Sequence, residues 1–153
     1  MNIGIIVHSH TGNTLSVAEK FKEKYEKEGH LVTLEQVTAV NEDPQAAATA
    51  ELNTIPDATG HDILIFGAPV RGFSLSPVML LYLNQLPSLQ GKKISCFVTQ
   101  QLPFAWLGGN RSVKQMKKAV IAKNGIVHET GVVNWSSKKR EDLITDLIKR
   151  VTK

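Results

Sequence analysis

The chain has 153 residues, of which 42% are hydrophobic and 21% are charged, and its formal net charge is +4. These values are ordinary for a folded globular domain, and no apolar run approaches the ~20 residues that a membrane-spanning helix needs. The length predicts a single domain, residues 1–153, which buries about two-thirds of its unfolded surface. We expect a cytoplasmic protein, because the first residues lack the pattern of a secretion signal.

The charge is distributed unevenly along the chain. Residues 1–76 carry five Lys/Arg and ten Asp/Glu, whereas residues 77–153 carry thirteen and four. This division is typical of two solvated faces, and it also fits a dipole that orients a charged partner. Nucleic acid is not predicted as a partner, because no binding motif and no interleaving of basic and aromatic residues is present.

The first predicted strand, Asn2–His8, runs directly into the polar segment Ser9–Thr14, and a predicted helix, Leu15–Glu28, follows at once. A glycine-containing turn rich in hydroxyls at this place favours phosphate binding, because a helix start presents unpaired N–H groups and the positive end of its dipole. No Gly-Lys-Ser/Thr follows, which excludes a Walker-type nucleotide loop. A helix cap rich in Ser and Thr that holds no ligand remains the alternative interpretation.

The later elements continue this alternation of strand and helix. Cys96 lies inside an apolar run and is predicted to be a buried thiol. The segment Gln45–Leu52 is alanine-rich and is a candidate short helix. The further strands are predicted at Leu31–Gln36, Asp62–Phe66, Lys93–Thr99 and Ile126–Val133, and the further helices start at Ser76-Pro77 or contain Val113–Ile121 and Leu143–Val151.

Strands that alternate with amphipathic helices predict an α/β fold, a doubly wound parallel sheet covered by helices on both faces. Five strands with right-handed crossovers favour the order 2-1-3-4-5. In such a sheet a ligand binds at the carboxyl ends of strands one, three and four.

Three segments at that sheet edge carry a resemblance to a known family. Ser9–Thr14 matches the phosphate-loop pattern Thr/Ser-x-Thr-Gly-x-Thr at every fixed position, Gly67–Phe73 follows the third strand, and Thr99–Asn110 follows the fourth. In these segments, and in element order over essentially its whole length, the chain resembles the flavodoxin family, short-chain type. Flavodoxins are themselves the standard instance of the switch-point rule.

The resemblance implies non-covalent FMN that cycles between oxidised, semiquinone and hydroquinone states, in a monomeric electron carrier that serves redox partner proteins. It also implies that a peptide bond next to Gly72 can flip when the flavin is reduced, a change that the conformational freedom of glycine permits. Phe73, Leu102, Phe104 and Trp106 are candidate walls for the flavin ring. The predicted cofactor-binding residues are Ser9, His10, Thr11, Gly12, Asn13, Thr14, Pro69, Val70, Arg71, Gly72, Phe73, Thr99, Gln100, Gln101, Leu102, Phe104, Trp106, Gly108 and Gly109.

The chain also departs from the family, whose members are mostly acidic. Residues 8–14, 67–76 and 99–112 contain no Asp or Glu. We therefore expect a weaker reductant than a typical flavodoxin, and a partner with an acidic face. The predicted docking residues are Arg111, Lys114, Lys117, Lys118 and Lys123.

Other functions on related folds fit less well. A phosphoacceptor receiver needs acidic residues where His8 and Phe66 stand, a small phosphatase needs a cysteine in the first loop, and a serine hydrolase needs Gly-x-Ser-x-Gly. No catalytic residue or metal site is predicted, since His8 and His10 share one side of a strand without a third ligand. An FMN-dependent NAD(P)H or quinone reductase, and a scaffold protein without flavin, remain as alternatives.

Overall fold

A central parallel sheet dominates the computed structural model, which describes residues 1–43, 51–101, 104 and 107–153. The elements in chain order are β1 (Asn2–Val7), α1 (Asn13–Lys27), β2 (Leu31–Gln36), β3 (Thr38–Ala39), β4 (Leu52–Thr54), β5 (Ile63–Arg71), β6 (Ser74–Leu75), α2 (Pro77–Gln85), β7 (Lys93–Gln100), α3 (Gly109–Ala122), β8 (Ile126–Asn134) and α4 (Arg140–Val151).

The five long strands lie in the order β2-β1-β5-β7-β8 and all pair in parallel. Counted by these strands alone, this is the predicted order. The predicted count of five is wrong, because β6 adds a sixth strand antiparallel to β5, and β3 and β4 form a separate antiparallel pair. Strands of two or three residues leave no periodicity that a sequence pattern can detect.

Helices cover both faces of the sheet, and each face has its own core. On one face α2 and α3 pack against the sheet around Phe66, Met79, Tyr82 and Met116. On the other, α1 and α4 pack around a cluster that includes Phe21, Phe97 and Leu147. The rings of Phe21 and Phe97 have centroids 5.7 Å apart. Burial of these side chains is the main force that holds the layers together.

The remaining expectations about the elements have mixed outcomes. Cys96 is buried as predicted, and burial raises the pKa of its thiol to about 12. The candidate helix Gln45–Leu52 lies outside the described residues except for Glu51 and Leu52, and Leu52 begins β4. Among the described helices, none is long and apolar enough to cross a membrane.

Candidate functional site

Two adjoining hollows lie at the carboxyl ends of β1, β5 and β7. They have volumes of about 260 and 180 Å³, and both are lined by Val70, Gln100 and Gln101. The larger hollow is completed by His10, Thr11, Asn13, Pro69, Arg71 and Thr99, and the smaller by Gly72 and Phe73. The fold therefore brings together residues from all three segments that the sequence analysis selected.

The start of α1 forms one end of the larger hollow. Gly12 precedes the helix with φ 94°, and no side chain caps the helix from this position. Within the described part of the chain, the backbone N–H groups of residues 10–14 donate no hydrogen bond. His10, Thr11 and Asn13 of this segment line the hollow. Because a helix start with unpaired N–H groups and the positive end of the dipole favours negative charge, this end of the hollow suits an anion.

The hydroxyls of this loop do not all face the hollow. The Ser9 hydroxyl accepts a hydrogen bond from the Leu15 N–H at 3.3 Å, so it caps the helix. Thr14 is buried, and its hydroxyl lies 2.9 Å from that of Thr99 on β7. This pair ties the loop to the central sheet. Thr11 and Asn13 are the described side chains of the loop that line the hollow together with His10.

The segment Gly67–Phe73 is not a loop throughout. β5 continues to Arg71, and only Gly72 and Phe73 form the turn that leads into β6. The strand predicted at Asp62–Phe66 is therefore too short, and β5 includes Gly67 and Pro69, two residue types that strands disfavour. Here Gly67 pairs with Phe97 of β7 and Pro69 with Thr99, so tertiary pairing overrides that preference.

The turn has an unusual backbone. Gly72 has φ 55° and Phe73 has φ 67°, and Phe73 is 54% exposed. Two successive residues with positive φ are typical of the type I′ hairpin turn, whose second position a bulky side chain rarely takes. The strained phenylalanine at the rim of the smaller hollow is therefore a candidate functional residue.

Helix α3 holds this hairpin in place through a residue that the sequence analysis missed. The Gln115 side-chain oxygen accepts hydrogen bonds from the Ser74 hydroxyl at 2.9 Å and from the Leu75 N–H at 2.8 Å. Gly108, at the start of α3, is so close that a Cβ there would lie 2.6 Å from the Phe73 Cα. A glutamine inside an amphipathic helix carries no sequence signal for this role.

The end of β7 forms the opposite wall. The Gln100 side-chain amide donates to the Phe104 carbonyl at 2.6 Å and also to the Asn134 side-chain oxygen. The Gln101 carbonyl accepts from the Ser136 hydroxyl, 2.8 Å away. Gly109 is buried against Gln100 and Val132 and does not line either hollow. Phe104 is 54% exposed, and two predicted ring walls, Leu102 and Trp106, lie outside the described residues.

A buried series of hydrogen-bonded side chains lies at the end of β1, where the first loop begins. His8 is 2% exposed; its Nδ1 lies 2.6 Å from the Ser76 hydroxyl and its Nε2 lies 2.9 Å from a Glu42 carboxylate oxygen. Since a carboxylate only accepts, Nε2 carries the proton and Ser76 donates to Nδ1. Desolvation lowers the pKa of His8, although Glu42 opposes that shift. The prediction that His8 and His10 share one side of a strand is wrong, because β1 ends at Val7, and His8 is buried whereas His10 is exposed.

This Ser–His–Glu chain is not a hydrolytic centre. Ser76 is completely buried, and its hydroxyl also accepts from the Met79 N–H at 3.4 Å as the cap of α2. A nucleophile needs access to its substrate and a free lone pair. Its hydrogen bonds instead connect the end of β1 to the start of α2 and to the segment after β3.

Arg71 gives the site positive charge. Among the described residues that line the two hollows, none is an Asp or Glu. A wider groove of about 570 Å³ lies between α1 and α4, but it is bordered by both lysines and glutamates. That groove is remote from the strand ends at which α/β sheets bind ligands.

Comparisons with known proteins give a consistent fold. No family model and no curated protein matches the chain. Among solved structures, a short-chain flavodoxin associated with a non-canonical PDU bacterial microcompartment matches with a TM-score of 0.70 and 14% identity, over 99% of this chain and 97% of that chain. The Trp repressor binding protein from Bacillus subtilis matches with a TM-score of 0.71 and 13% identity, over 99% of both chains.

A flavoprotein in complex with FMN from Lactobacillus acidophilus NCFM matches with a TM-score of 0.65 and 14% identity, over 93% of this chain and 97% of that chain. Identities this low establish architecture and not activity. The likeness of the chain to flavodoxins therefore extends from its loop motifs to its complete architecture, and the chain has a flavodoxin-like α/β fold.

Proposed function

We propose that this protein binds FMN at the carboxyl ends of β1, β5 and β7 and transfers electrons between redox partners. One observation carries the proposal: the start of α1, where the N–H groups of residues 10–14 donate no hydrogen bond to a described residue, borders a hollow whose described lining contains no carboxylate. A phosphate is the ligand group that such a helix start favours. Flavodoxins and a flavoprotein crystallised with FMN share the fold, which supports this ligand.

The phosphate end of FMN fits the start of α1. The N–H groups of residues 10–14, the Thr11 hydroxyl and the Asn13 amide supply the donors. Gly12 is exposed with φ 94° and has no atom within 4 Å of the place where a Cβ would be, so the backbone is open to a ligand. The loop has no lysine, which suits a bound monophosphate better than a nucleoside triphosphate with its metal.

The ring end fits the smaller hollow. A flat aromatic ligand needs apolar walls and a few polar groups along its edge. Val70 and Phe73 supply the walls, and Gln100 and Gln101 supply polar groups. Bound FMN would contribute reversible transfer of one or two electrons. The protein would orient the ring, shield it from water and, through Arg71, favour added negative charge.

The phosphate assignment is tested by comparing FMN with riboflavin, which lacks the phosphate. Thr11→Val removes one donor to a charged group, so it should weaken FMN binding by roughly 10–100-fold and leave riboflavin binding within about twofold. Flavin fluorescence quenching measures both affinities. The exposed Thr33 on β2 offers a matched control, Thr33→Val, which should change neither. Equal losses for both ligands would show that the phosphate binds elsewhere.

A second measurement, the consumption of NADPH or NADH by the holo-protein, distinguishes an electron carrier from a reductase. The holo-protein should not consume NADPH or NADH by itself, and it should pass electrons once a donor reductase is added. Consumption of either nucleotide in the presence of a quinone, without a partner enzyme, would favour the alternative of an FMN-dependent reductase.

A further inference from the structure

Helix α3 carries an exposed basic face that has no acidic partner in the described part of the chain. Arg111, Lys114, Lys117 and Lys118 are all exposed, and the helix contains no Asp or Glu. None of the four forms an ion pair with another described residue. Because residues three and four apart are neighbours on a helix, Lys114 repels both Lys117 and Lys118.

The lysines of α1 and Arg150 of α4 do have acidic partners. On α1, Lys22 pairs with Glu26, Lys24 with Glu28, and Lys27 with Glu23, and Lys20 reaches Glu141 on α4. On α4, Arg150 contacts both Asp146 and Glu129. Each exposed lysine of α1 thus has an acidic neighbour. Exposed lysines elsewhere, such as Lys138, Lys139 and Lys149, also form no ion pair with a described residue. What distinguishes α3 from α1 and α4 is that it carries its cations without any Asp or Glu on the same helix.

The basic face of α3 begins at the rim of the candidate flavin site. Gly108 at the helix start lies against Phe73, and Gln115 on the same helix binds the strand that follows Phe73. Phe73 and Phe104 are each 54% exposed. An exposed aromatic side chain flanked by charges of one sign is typical of a protein interface, where aromatic residues anchor and charges steer the encounter.

We propose that the basic face of α3 (Arg111, Lys114, Lys117 and Lys118), with Phe73 at its start, is the docking surface for an acidic redox partner protein. This proposal rests on the electron-transfer function proposed above. A protein is favoured over a membrane, because α3 buries Met116 and Val120 in the core and exposes only one large apolar side chain, Ile121 near its end. It is favoured over nucleic acid, because no aromatic residue interleaves with the cations along the helix.

The test compares two triple variants with the same change in net charge. Lys114→Gln/Lys117→Gln/Lys118→Gln removes charge from the basic face of α3, and Lys22→Gln/Lys24→Gln/Lys27→Gln removes it from α1. Flavin titration of both variants comes first. If the wild type binds no FMN, the proposed function fails, and the docking surface is then judged by the binding measurement alone.

The rate of electron transfer to a small anion reports the electrostatic potential at the rim of the site. The FMN-loaded protein is reduced with dithionite, and each ferricyanide ion then accepts one electron from it. The wild-type rate should fall as salt rises from about 10 to 200 mM, because the probe is an anion. The α3 variant should react roughly three- to tenfold more slowly at low salt, and the α1 variant within about twofold of wild type. Equal effects of both variants, or a wild-type rate independent of salt, would overturn the proposal.

Binding measurements identify the class of partner. The probes are a fluorescent peptide of 20 glutamates, a single-stranded 20-nucleotide DNA, and vesicles of 70% phosphatidylcholine and 30% phosphatidylglycerol. At physiological salt the peptide should bind the wild type and the α1 variant but not the α3 variant. Tighter binding of the DNA or the vesicles than of the peptide, lost in the α3 variant, would overturn the assignment to an acidic protein.

Discussion

Two helices, α1 and α3, start at the same edge of the sheet in the same way and end up with opposite surroundings. Each follows a glycine with positive φ, 94° at Gly12 and 112° at Gly108, which offers no side chain to cap the helix, and neither helix has an acidic residue in its first turn. Gly12 is exposed, whereas Gly108 is buried against Phe73. The same local features thus leave the helix start open at α1 and covered by a hairpin at α3.

The difference shows that a helix start becomes a binding site only if its neighbours leave it open. At α1, the Ser9 hydroxyl accepts a hydrogen bond from the Leu15 N–H, and the buried Thr14–Thr99 pair links the turn to β7. These contacts leave the N–H groups of residues 10–14 without a partner among the described residues. At α3, the β5–β6 hairpin covers the glycine. The dipole is the same in both helices, but accessibility decides which one can bind an anion.

The largest effect is expected where the helix start is closed. In Gly108→Ala, the new methyl would lie 2.6 Å from the Phe73 Cα and 2.9 Å from the Phe73 carbonyl carbon, which are backbone atoms that cannot rotate away. The positive φ adds strain. We expect the free energy of unfolding to fall by about 2–5 kcal/mol, measured by urea denaturation. A loss below about 1 kcal/mol would show that the hairpin moves away without cost.

A smaller effect is expected when the hairpin loses its hydrogen bonds to α3. Gln115→Met keeps the volume of the side chain but removes the acceptor for the Ser74 hydroxyl and the Leu75 N–H. The free energy of unfolding should fall by about 1–3 kcal/mol, and the amide of Leu75 should exchange its hydrogen faster. Gln115→Glu retains an acceptor oxygen and is the matched control. Equal protection of Leu75 in both variants would contradict this role.

The fold was more predictable than the site, and particular residues explain why. The parallel strands follow from long apolar runs that alternate with helices, and these depend on local periodicity. The extension of β5 past Phe66 depends instead on pairing between Gly67 and Phe97, which lie on different strands. The antiparallel addition of β6 depends on a turn in which Phe73 adopts φ 67°, a conformation that its own preferences disfavour.

Within the site, the sequence predicted which segments meet but not what each side chain does there. Ser9, Thr11 and Thr14 look equivalent as hydroxyl donors, yet Ser9 caps a helix, Thr14 is paired inside the core, and Thr11 lines the hollow. Contacts between residues far apart in the chain cannot be read from a local pattern. His8 meets Ser76 across 68 positions and Glu42 across 34, and the supporting role of Gln115 has the same origin.

At the open helix start, an added methyl group should cost less than at the closed one. Gly12→Ala meets no atom within 4 Å, so only the positive φ is penalised. We expect the free energy of unfolding to fall by about 1–2 kcal/mol, well below the loss in Gly108→Ala. Urea denaturation of the two variants side by side checks this order. If Gly12→Ala costs as much as Gly108→Ala, backbone strain and not the covering hairpin explains the difference between the two helix starts.

The smallest expected effect is a dependence of stability on pH near the start of α1. The titratable His8 lies just before that helix start, whereas Gly108 at the start of α3 contacts Phe73 and Val70, which do not titrate. Desolvation is the largest influence on the pKa of His8; Glu42 opposes it, and Arg71 and His10 add to it, so the folded-state pKa lies below the ordinary 6.5. The unfolded chain therefore takes up this proton first as the pH falls. The contribution of neutral His8 to stability is complete above pH 6.5 and is lost between 6.5 and the lower folded-state pKa.

The slope from this single group cannot exceed about 1.4 kcal/mol per pH unit. In His8→Gln the side chain keeps a donor for Glu42 but cannot titrate, so the free energy of unfolding should depend less on pH between 7.5 and 5.5 than in the wild type. Urea denaturation at intervals of half a pH unit measures the difference, which cancels the titration of the other histidines. An unchanged pH dependence in the variant would mean that His8 is protonated equally in both states, and that the support behind the open helix start is not sensitive to pH.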